Sequence, residues 1–198
     1  MMKKTWIQSF ATLLLCGVFA GGAPATPSIA QDKKEERVAV SSEPGATTAT
    51  YGNWVLQCVR AGSNSALNTQ KTCEVMQSIQ VQGQAQPVAQ IALGRVTKDA
   101  KLQLTVVLPV NITPGKLVMV TPTDKASAAD KSGLQLSWAR CIGAACFATI
   151  EPTPEFLASV RSSQEGRLSY VDGTGQGVEL PLSWNGVTQA LAALEKAS

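Results

Sequence analysis

Cysteine is the residue type whose spacing in this chain could support chemistry. Four cysteines beyond the N-terminal segment, Cys58, Cys73, Cys141 and Cys146, form two close pairs. Such a set could bind zinc, exchange thiols or form disulfides. The Cys-x-x-Cys spacing that is typical of zinc knuckles and of thiol-redox catalysts does not occur in the sequence. Disulfides are therefore the favoured interpretation.

Histidine is absent from the whole sequence. This removes the most common general base and the most common metal ligand together, and it excludes the usual Ser-His-Asp triad. Gly-x-Ser-x-Gly and Ser-x-x-Lys motifs are also missing. Entry into a helix explains Glu155 better than a catalytic pair with Glu151 does. We therefore predict no enzymatic activity, no catalytic or metal-binding residue and no cofactor. A hydrolase that assembles carboxylates from distant segments is the least favoured hypothesis.

The N terminus has the three parts of a secretory signal. Two lysines precede an apolar core at residues 11–20, and small residues follow. We predict that residues 1–30 form a signal peptide cleaved after Ala30, with cleavage after Ala25 as the alternative. The apolar run is shorter than the roughly 20 residues of a membrane-spanning helix, so no stable span is expected after signal removal. Cys16 would be removed together with the signal peptide.

Export would place the four remaining cysteines in an oxidising compartment. We expect a periplasmic protein, with outer-membrane association or secretion as alternatives. Three disulfide pairings are possible. The nearest-neighbour pairing, Cys58 with Cys73 and Cys141 with Cys146, is preferred because each bond would close a hairpin-sized segment.

The second pair suggests a stapled hairpin. Residues that face each other in a non-hydrogen-bonded antiparallel pair have Cα atoms about 4.5 Å apart, a distance that a disulfide can span. The turn 142–145 would place Cys141 and Cys146 in that relation. In a regular strand, however, Trp138 and Cys141 fall on opposite faces. Either the pair lies on the outer face, or a bulge near Ala139 and Arg140 turns Cys141 inward.

The rest of the chain predicts one globular domain over residues 51–196, preceded by a disordered linker over residues 31–50. The linker combines a charge cluster with small polar residues and lacks periodic apolar residues. Alternation of apolar and polar residues predicts half-buried strands in the domain. These strands are expected near residues 54–58, 73–81, 88–96, 102–108, 116–120, 134–138, 146–150, 167–171 and 177–184.

Two short helices complete the prediction. Thr153 as N-cap and Pro154 at the first helical position predict a helix over residues 153–162. Apolar residues at helical spacing from Val187 to Leu194 predict a C-terminal amphipathic helix. The polar segment 121–133 is expected to be an exposed loop, where recognition sites often lie.

The order of several motifs resembles the invasion-associated locus B family. These motifs are Gly52-Asn53-Trp54, the four cysteines, and the closing segment Leu182–Leu191, although Val187 stands where the family commonly has an aromatic residue. The resemblance implies an all-β, immunoglobulin-like β-sandwich that Gram-negative bacteria export and that is linked to host-cell entry. The resemblance identifies no catalytic residues in this sequence.

These observations predict a non-enzymatic envelope protein that contributes to host-cell adhesion or invasion through protein contacts. Its partner would be an unidentified envelope or host-surface protein, bound through the loops around the stapled hairpin. The alternative is a periplasmic small-ligand-binding or inhibitor-like module. Removing the signal lowers the formal charge from +3 to +1, so nucleic acid is not an expected partner. The sequence does not specify an oligomeric state.

The first testable prediction concerns processing and oxidation. N-terminal sequencing of the exported protein should begin at Gln31. Alkylation under denaturing, non-reducing conditions should add no group, and alkylation after reduction should add four groups to the intact mass. Four groups added without reduction would contradict the disulfide interpretation.

Overall fold

The computed structural model describes residues 44–60, 71–97, 99–113, 115–123 and 133–197. Within these ranges the chain forms ten strands and two helices. Their bounds, in chain order, are β1 (Ala46–Tyr51), β2 (Trp54–Arg60), β3 (Lys71–Ile79), β4 (Ala89–Gly94), β5 (Gln103–Pro109), β6 (Val118–Thr121), β7 (Leu134–Ile142), β8 (Ala145–Ile150), α1 (Pro154–Ser162), β9 (Glu165–Val171), β10 (Gly177–Ser183) and α2 (Val187–Ala197).

The strands are antiparallel and follow the order β1-β2-β3-β4-β5-β8-β7-β6-β9-β10. Strand β7 joins two sheets, because residues 134–136 pair with β6 whereas residues 137–142 pair with β8. Sheet I comprises β1, β2, β3, β4, β5, β8 and β7. Sheet II comprises β6, β9 and β10, and joins sheet I through the start of β7. The all-β, sandwich-like fold predicted from the sequence is confirmed.

The core lies between the inner faces of the two sheets. Alternate residues are buried over residues 54–58 of β2 and 73–79 of β3, as period-two alternation predicts. Sheet II contributes buried residues from all three of its strands, among them Val118, Leu168 and Leu182. Because these side chains belong to one continuous hydrophobic cluster, burying their apolar surface stabilises both sheets together.

Both predicted helices are present. At the start of α1, the Thr153 hydroxyl accepts a hydrogen bond from the Phe156 N–H at 3.2 Å, and Pro154 occupies the first turn. Helix α2 packs against β1, β2 and β3 and buries four apolar residues at helical spacing: Val187, Ala190, Leu191 and Leu194. At its end, Lys71 Nζ donates a hydrogen bond to the Ala197 carbonyl at 3.0 Å, a cation position that favours a helix C-terminus.

The predicted disordered linker, residues 31–50, was wrong for its last five residues. Residues 46–50 belong to β1 rather than to a disordered segment. This strand lacks an apolar alternation because it lies at the edge of sheet I, where its backbone pairs with β2 over six residues and most of its side chains are exposed. Residues 31–43 and the predicted signal peptide, including the cleavage site at Ala30, lie outside the described residues.

Two strands end earlier than predicted. Strand β3 stops at Ile79, and Val81 beyond it is 40% exposed. Strand β4 stops at Gly94, and Val96 in the following turn is 69% exposed. The apolar pattern continues past both strand ends although the backbone pairing does not.

The cap of α1 provides a test of this local structure. Thr153→Ala should lower the free energy of unfolding by about 1 kcal/mol, because an N-terminal N–H loses its acceptor. Thr153→Ser keeps the hydroxyl and should retain most of the stability. Equal losses for the two variants in chemical denaturation would contradict a capping role.

Candidate functional site

The structure pairs Cys58 with Cys73 and Cys141 with Cys146, which is the nearest-neighbour pairing expected from the sequence. In both cases the cysteines lie directly opposite each other on adjacent antiparallel strands, with Cα atoms 4.0 Å apart. The first disulfide is buried and lies beneath the end of α2. The second closes the hairpin formed by β7 and β8.

A β-bulge in β7 resolves the conflict between Trp138 and Cys141. Trp138 is opposite Ala148, but the next paired residue is Arg140, so Ala139 has no partner in β8. The extra residue shifts the face on which all later side chains lie. Cys141 therefore lies opposite Cys146, which is buried on the core side, and Arg140 turns to the solvent side, although Cys141 itself, near the end of the hairpin, remains exposed.

Beyond the staple, the end of the hairpin forms an apolar surface that we name the stapled tip. A shallow groove of about 270 Å³ lies here. The stapled tip comprises the groove residues Pro87, Val88, Pro109, Ala144 and Ala145 together with Ile142 and Val110. Ile142 is 59% exposed and Val110 is 53% exposed. Exposed apolar side chains that cluster in this way are typical of protein contact sites.

The solvent side of sheet I, which we name the outer face, continues from the stapled tip. Its side chains are those that alternate with the buried ones on each strand. Glu74 and Arg140 carry charge on its strands, and Arg95, just after β4, lines a shallow pocket together with Glu74 and Thr105. Burial raises the pKa of the Glu74 carboxyl above its usual value. The Arg140 guanidinium lies 5.4 Å from the centre of the Phe147 ring, in a cation–π contact.

On the opposite side of sheet I, a set of contacts joins the two sheets. The carbonyl of Ser183, the last residue of β10, accepts hydrogen bonds from Trp54 Nε1 at 2.9 Å and Gln77 Nε2 at 2.7 Å. The Ser183 N–H donates to Gln77 Oε1 at 3.1 Å. Gln77 is 6% exposed. Its side-chain amide therefore pairs with β10 as a neighbouring strand would.

The turn between β1 and β2 packs tightly against the junction between β10 and α2. The Asn53 N–H donates to the Asn185 carbonyl at 3.0 Å, and the rings of Trp54 and Trp184 stack with centres 5.8 Å apart. Gly186 has a φ of +88°, and a Cβ atom there would collide with the Tyr51 carbonyl. We name these contacts, together with those of Gln77 and Ser183, the clasp.

A cleft of about 560 Å³ lies beside the clasp, between β3 and the free edge of β10. Its polar lining includes an ion pair in which Arg167 Nη1 lies 2.9 Å from Glu179 Oε2. Pro181 and Glu179 lie on the edge of β10, and both residue types protect sheet edges against further pairing. The volume is within the range of small-molecule sites, roughly 300–1,000 Å³.

The remaining candidates have structural roles. Glu151 forms an exposed ion pair with Lys101 at 2.8 Å, whereas Glu155 lies in the first turn of α1. In the turn after β9, a hydrogen bond from the Thr174 hydroxyl, with backbone N–H donors, lowers the pKa of Asp172.

Residues 124–132 of the predicted recognition loop lie outside the described residues. In the described part of the chain, no cluster of three or more potential metal ligands occurs.

The comparisons with known proteins agree with the resemblance seen in the sequence. The family model for the invasion associated locus B (IalB) protein matches residues 54–195. The chain belongs to the invasion associated locus B family. A solved structure, the crystal structure of invasion associated protein B from Bartonella henselae, is 20% identical and gives a TM-score of 0.59. The match covers 75% of this chain and 94% of the Bartonella henselae chain, which shows a shared fold. A search of curated proteins gives no match.

In this invasion associated locus B protein, the motifs that carry the resemblance are structural. Gly52-Asn53-Trp54 and the segment around Trp184 meet in the clasp, and the four cysteines form the two staples. The outer face was not predicted from the sequence. Its positions on β4, β5 and β8 carry mainly Gln, Thr, Ala, Val and Phe, and this low charge is the sequence pattern that could have indicated it.

The clasp can be tested with two glycines of nearly equal φ. Gly186 and Gly175 have φ values of +88° and +87°, but a Cβ at Gly175 would meet nothing within 4 Å. Gly175→Ala should therefore cost roughly 1–2 kcal/mol, from backbone conformation alone. Gly186→Ala should cost roughly 3 kcal/mol or more, because it also forces the clasp apart. Equal losses of unfolding free energy for the two variants in chemical denaturation would show that the close contact between Gly186 and the Tyr51 carbonyl does not contribute to stability.

Proposed function

We propose that this protein is an exported, non-enzymatic contact protein that binds a protein partner through the stapled tip. The observation that carries the proposal is the pair of exposed apolar side chains, Ile142 and Val110, next to a mainly apolar groove: Ile142 pairs with the groove residue Ala145, and Val110 follows the groove residue Pro109. Exposed apolar side chains concentrated at one end of a domain favour association because contact removes their surface from water.

The shape of the stapled tip favours a protein over a small molecule. The groove is shallow and open, whereas small-molecule sites usually enclose most of the ligand surface. The disulfide between Cys141 and Cys146 holds the two strands of the hairpin together behind the apolar residues. A preformed surface reduces the entropy lost on binding, which favours a protein contact of useful affinity.

The disulfides support a location outside the cytoplasm. The two disulfides indicate an oxidising, non-cytoplasmic environment. None of the helices in the described part of the chain is long and apolar enough to cross a membrane. We place the protein in the periplasm or at the outer surface of a bacterial cell, and its partner on the envelope or on a host cell. Family membership supports a contribution to adhesion or invasion.

The non-enzymatic part of the proposal is supported by chemistry. The sequence has no histidine, and the buried polar side chain of the described core, Gln77, is neutral and engaged in the clasp. The exposed acids Glu151 and Glu179 are paired with Lys101 and Arg167. Gln77 stabilises the fold, and the paired acids are not arranged as a general acid with a general base.

The cleft beside the clasp supports a second candidate function, the binding of a small polar ligand. Its volume is suitable, but Gln77 and Ser183 already satisfy each other's hydrogen bonds. Exposed groups at the rim, such as Glu165 and Ser78, would have to supply the specificity. The stapled tip is favoured because its exposed groups are apolar and their contact with water is unfavourable.

A charge placed on the stapled tip tests the proposal. Ile142→Asp should reduce binding of the purified protein to isolated envelope fractions, or to intact host cells, by at least about tenfold, because a carboxylate would be desolvated in an apolar contact. Val96→Asp is the matched control, because Val96 is more exposed and lies in the turn after β4, away from the staple.

Both variants should unfold at the temperature of the wild-type protein. Unchanged binding of the Ile142→Asp protein to both kinds of surface would remove the stapled tip as the contact site. Wild-type binding to host cells but not to envelope fractions would identify the host as the source of the partner, and the opposite result would identify the envelope.

A further inference from the structure

The outer edge of β1 presents backbone groups that no described strand pairs with. The Arg60 N–H donates to the Gly45 carbonyl at 2.9 Å, and in an antiparallel pair the residues that bond to the partner strand alternate with those that do not. Ala46, Thr48 and Thr50 therefore direct their N–H and carbonyl groups away from β2. All three residues are exposed, and these groups have no hydrogen-bond partner among the described residues.

Two other strand edges that lack a partner strand are protected. On β10, the Gln77 amide occupies the N–H and the carbonyl of Ser183, and Pro181 has no N–H to donate. The second half of β7, which pairs only with β8 in the described part of the chain, carries the bulge at Ala139 and the charge of Arg140. Prolines, bulges and charges on an edge strand all oppose the addition of a further strand.

Strand β1 has none of these protective features. It contains no proline and no charged residue, and it pairs with β2 over six consecutive residues without a bulge. Its threonines and its tyrosine favour extended structure. The side chains of Ala49 and Tyr51 pack against the core and hold the strand in position. The edge of β1 is therefore a preformed template for another strand.

We propose that the free edge of β1 pairs, in antiparallel orientation, with β1 of a second copy of this chain. The register that uses every free backbone group places Thr48 opposite Thr48 of the second copy and Ala46 opposite its Thr50, and each facing pair exchanges two hydrogen bonds. Sheet I then continues from one copy into the other. Association ends at two copies, because pairing consumes the β1 edges and the edges at β7 and β10 are protected.

The side chains along this edge favour a second copy over a strand of a different protein. Strand addition takes its affinity from main-chain bonds and its specificity from side-chain pockets beside the edge. Ala46, Thr48 and Thr50 are small and uncharged, so they provide little to select a foreign sequence, whereas threonines that face each other across a strand pair are stabilising. Two cations, Arg60 and Lys71, lie beside the first residues of β1, and an antiparallel pair keeps the two basic ends apart.

The contact is limited to one strand from each copy. The six residues of β1 extend about 20 Å, so the pair buries less surface than a standard interface, which covers about 800 Å² on each side. The dimer should therefore dissociate on dilution, and its population depends on the protein concentration.

Sedimentation velocity of the purified, oxidised protein over a range of concentrations, with no partner present, tests the proposal. The wild-type protein should pass from monomer to dimer as its concentration rises. Thr48→Lys and Thr48→Glu should each weaken dimerisation at least about tenfold, because like charges then face each other at the centre of the contact. An equimolar mixture of the two variants should dimerise again, because each lysine then faces a glutamate. Recovery in the mixture also shows that both variants are folded.

Thr72→Lys and Thr72→Glu are the matched controls. Thr72 is exposed on β3, two strands from the β1 edge, so these variants should dimerise as the wild type does. A wild-type protein that stays monomeric at the highest attainable concentration would overturn the proposal, as would dimerisation that neither Thr48 variant weakens or that the mixture does not restore. Because no partner is present, this result is independent of whether the stapled tip binds an envelope or host protein.

Discussion

The hydrogen bonds at the main chain of Ser183 join the edge of sheet II to sheet I, in addition to strand β7 and the shared core. Trp54 and Gln77 both donate to the Ser183 carbonyl, and Gln77 also accepts from the Ser183 N–H. Without these partners, the partly buried N–H and carbonyl of Ser183 would lose hydrogen bonds that each contribute about 0.5–1.5 kcal/mol. Helix α2 begins four residues later, at Val187. The bonds at Ser183 therefore lie directly before the start of the helix that covers β1, β2 and β3.

Much of the fold could be predicted from the sequence, because strands with one buried face carry a period-two pattern and close cysteine pairs fit adjacent strands. Strand β1 could not, since it is held mainly by backbone pairing with β2 and only Ala49 and Tyr51 pack against the core. The clasp was also hidden, because Trp54 and Ser183 are 129 residues apart and no local pattern links them. The bulge at Ala139 was one of two alternatives from the parity of Trp138 and Cys141, and the backbone decided between them.

The family signature and the proposed function occupy different parts of the molecule. Signature residues lie in the clasp and in the staples, where close packing and covalent bonds leave little freedom for substitution. The stapled tip and the outer face are solvent-exposed, so their residues can change without loss of the fold. Membership of the invasion associated locus B family thus defines the scaffold, and the contacts of each member depend on its own surface.

Native-state hydrogen exchange at the clasp tests this account most directly. The amide protons of Asn53 and Ser183 both donate within the clasp. If the fold depends on these contacts, both protons should exchange only through global unfolding, with the same opening free energy as the most protected core strands. Exchange through local openings of much lower free energy would contradict the claim, because the two sheets would then stay folded while the clasp is open.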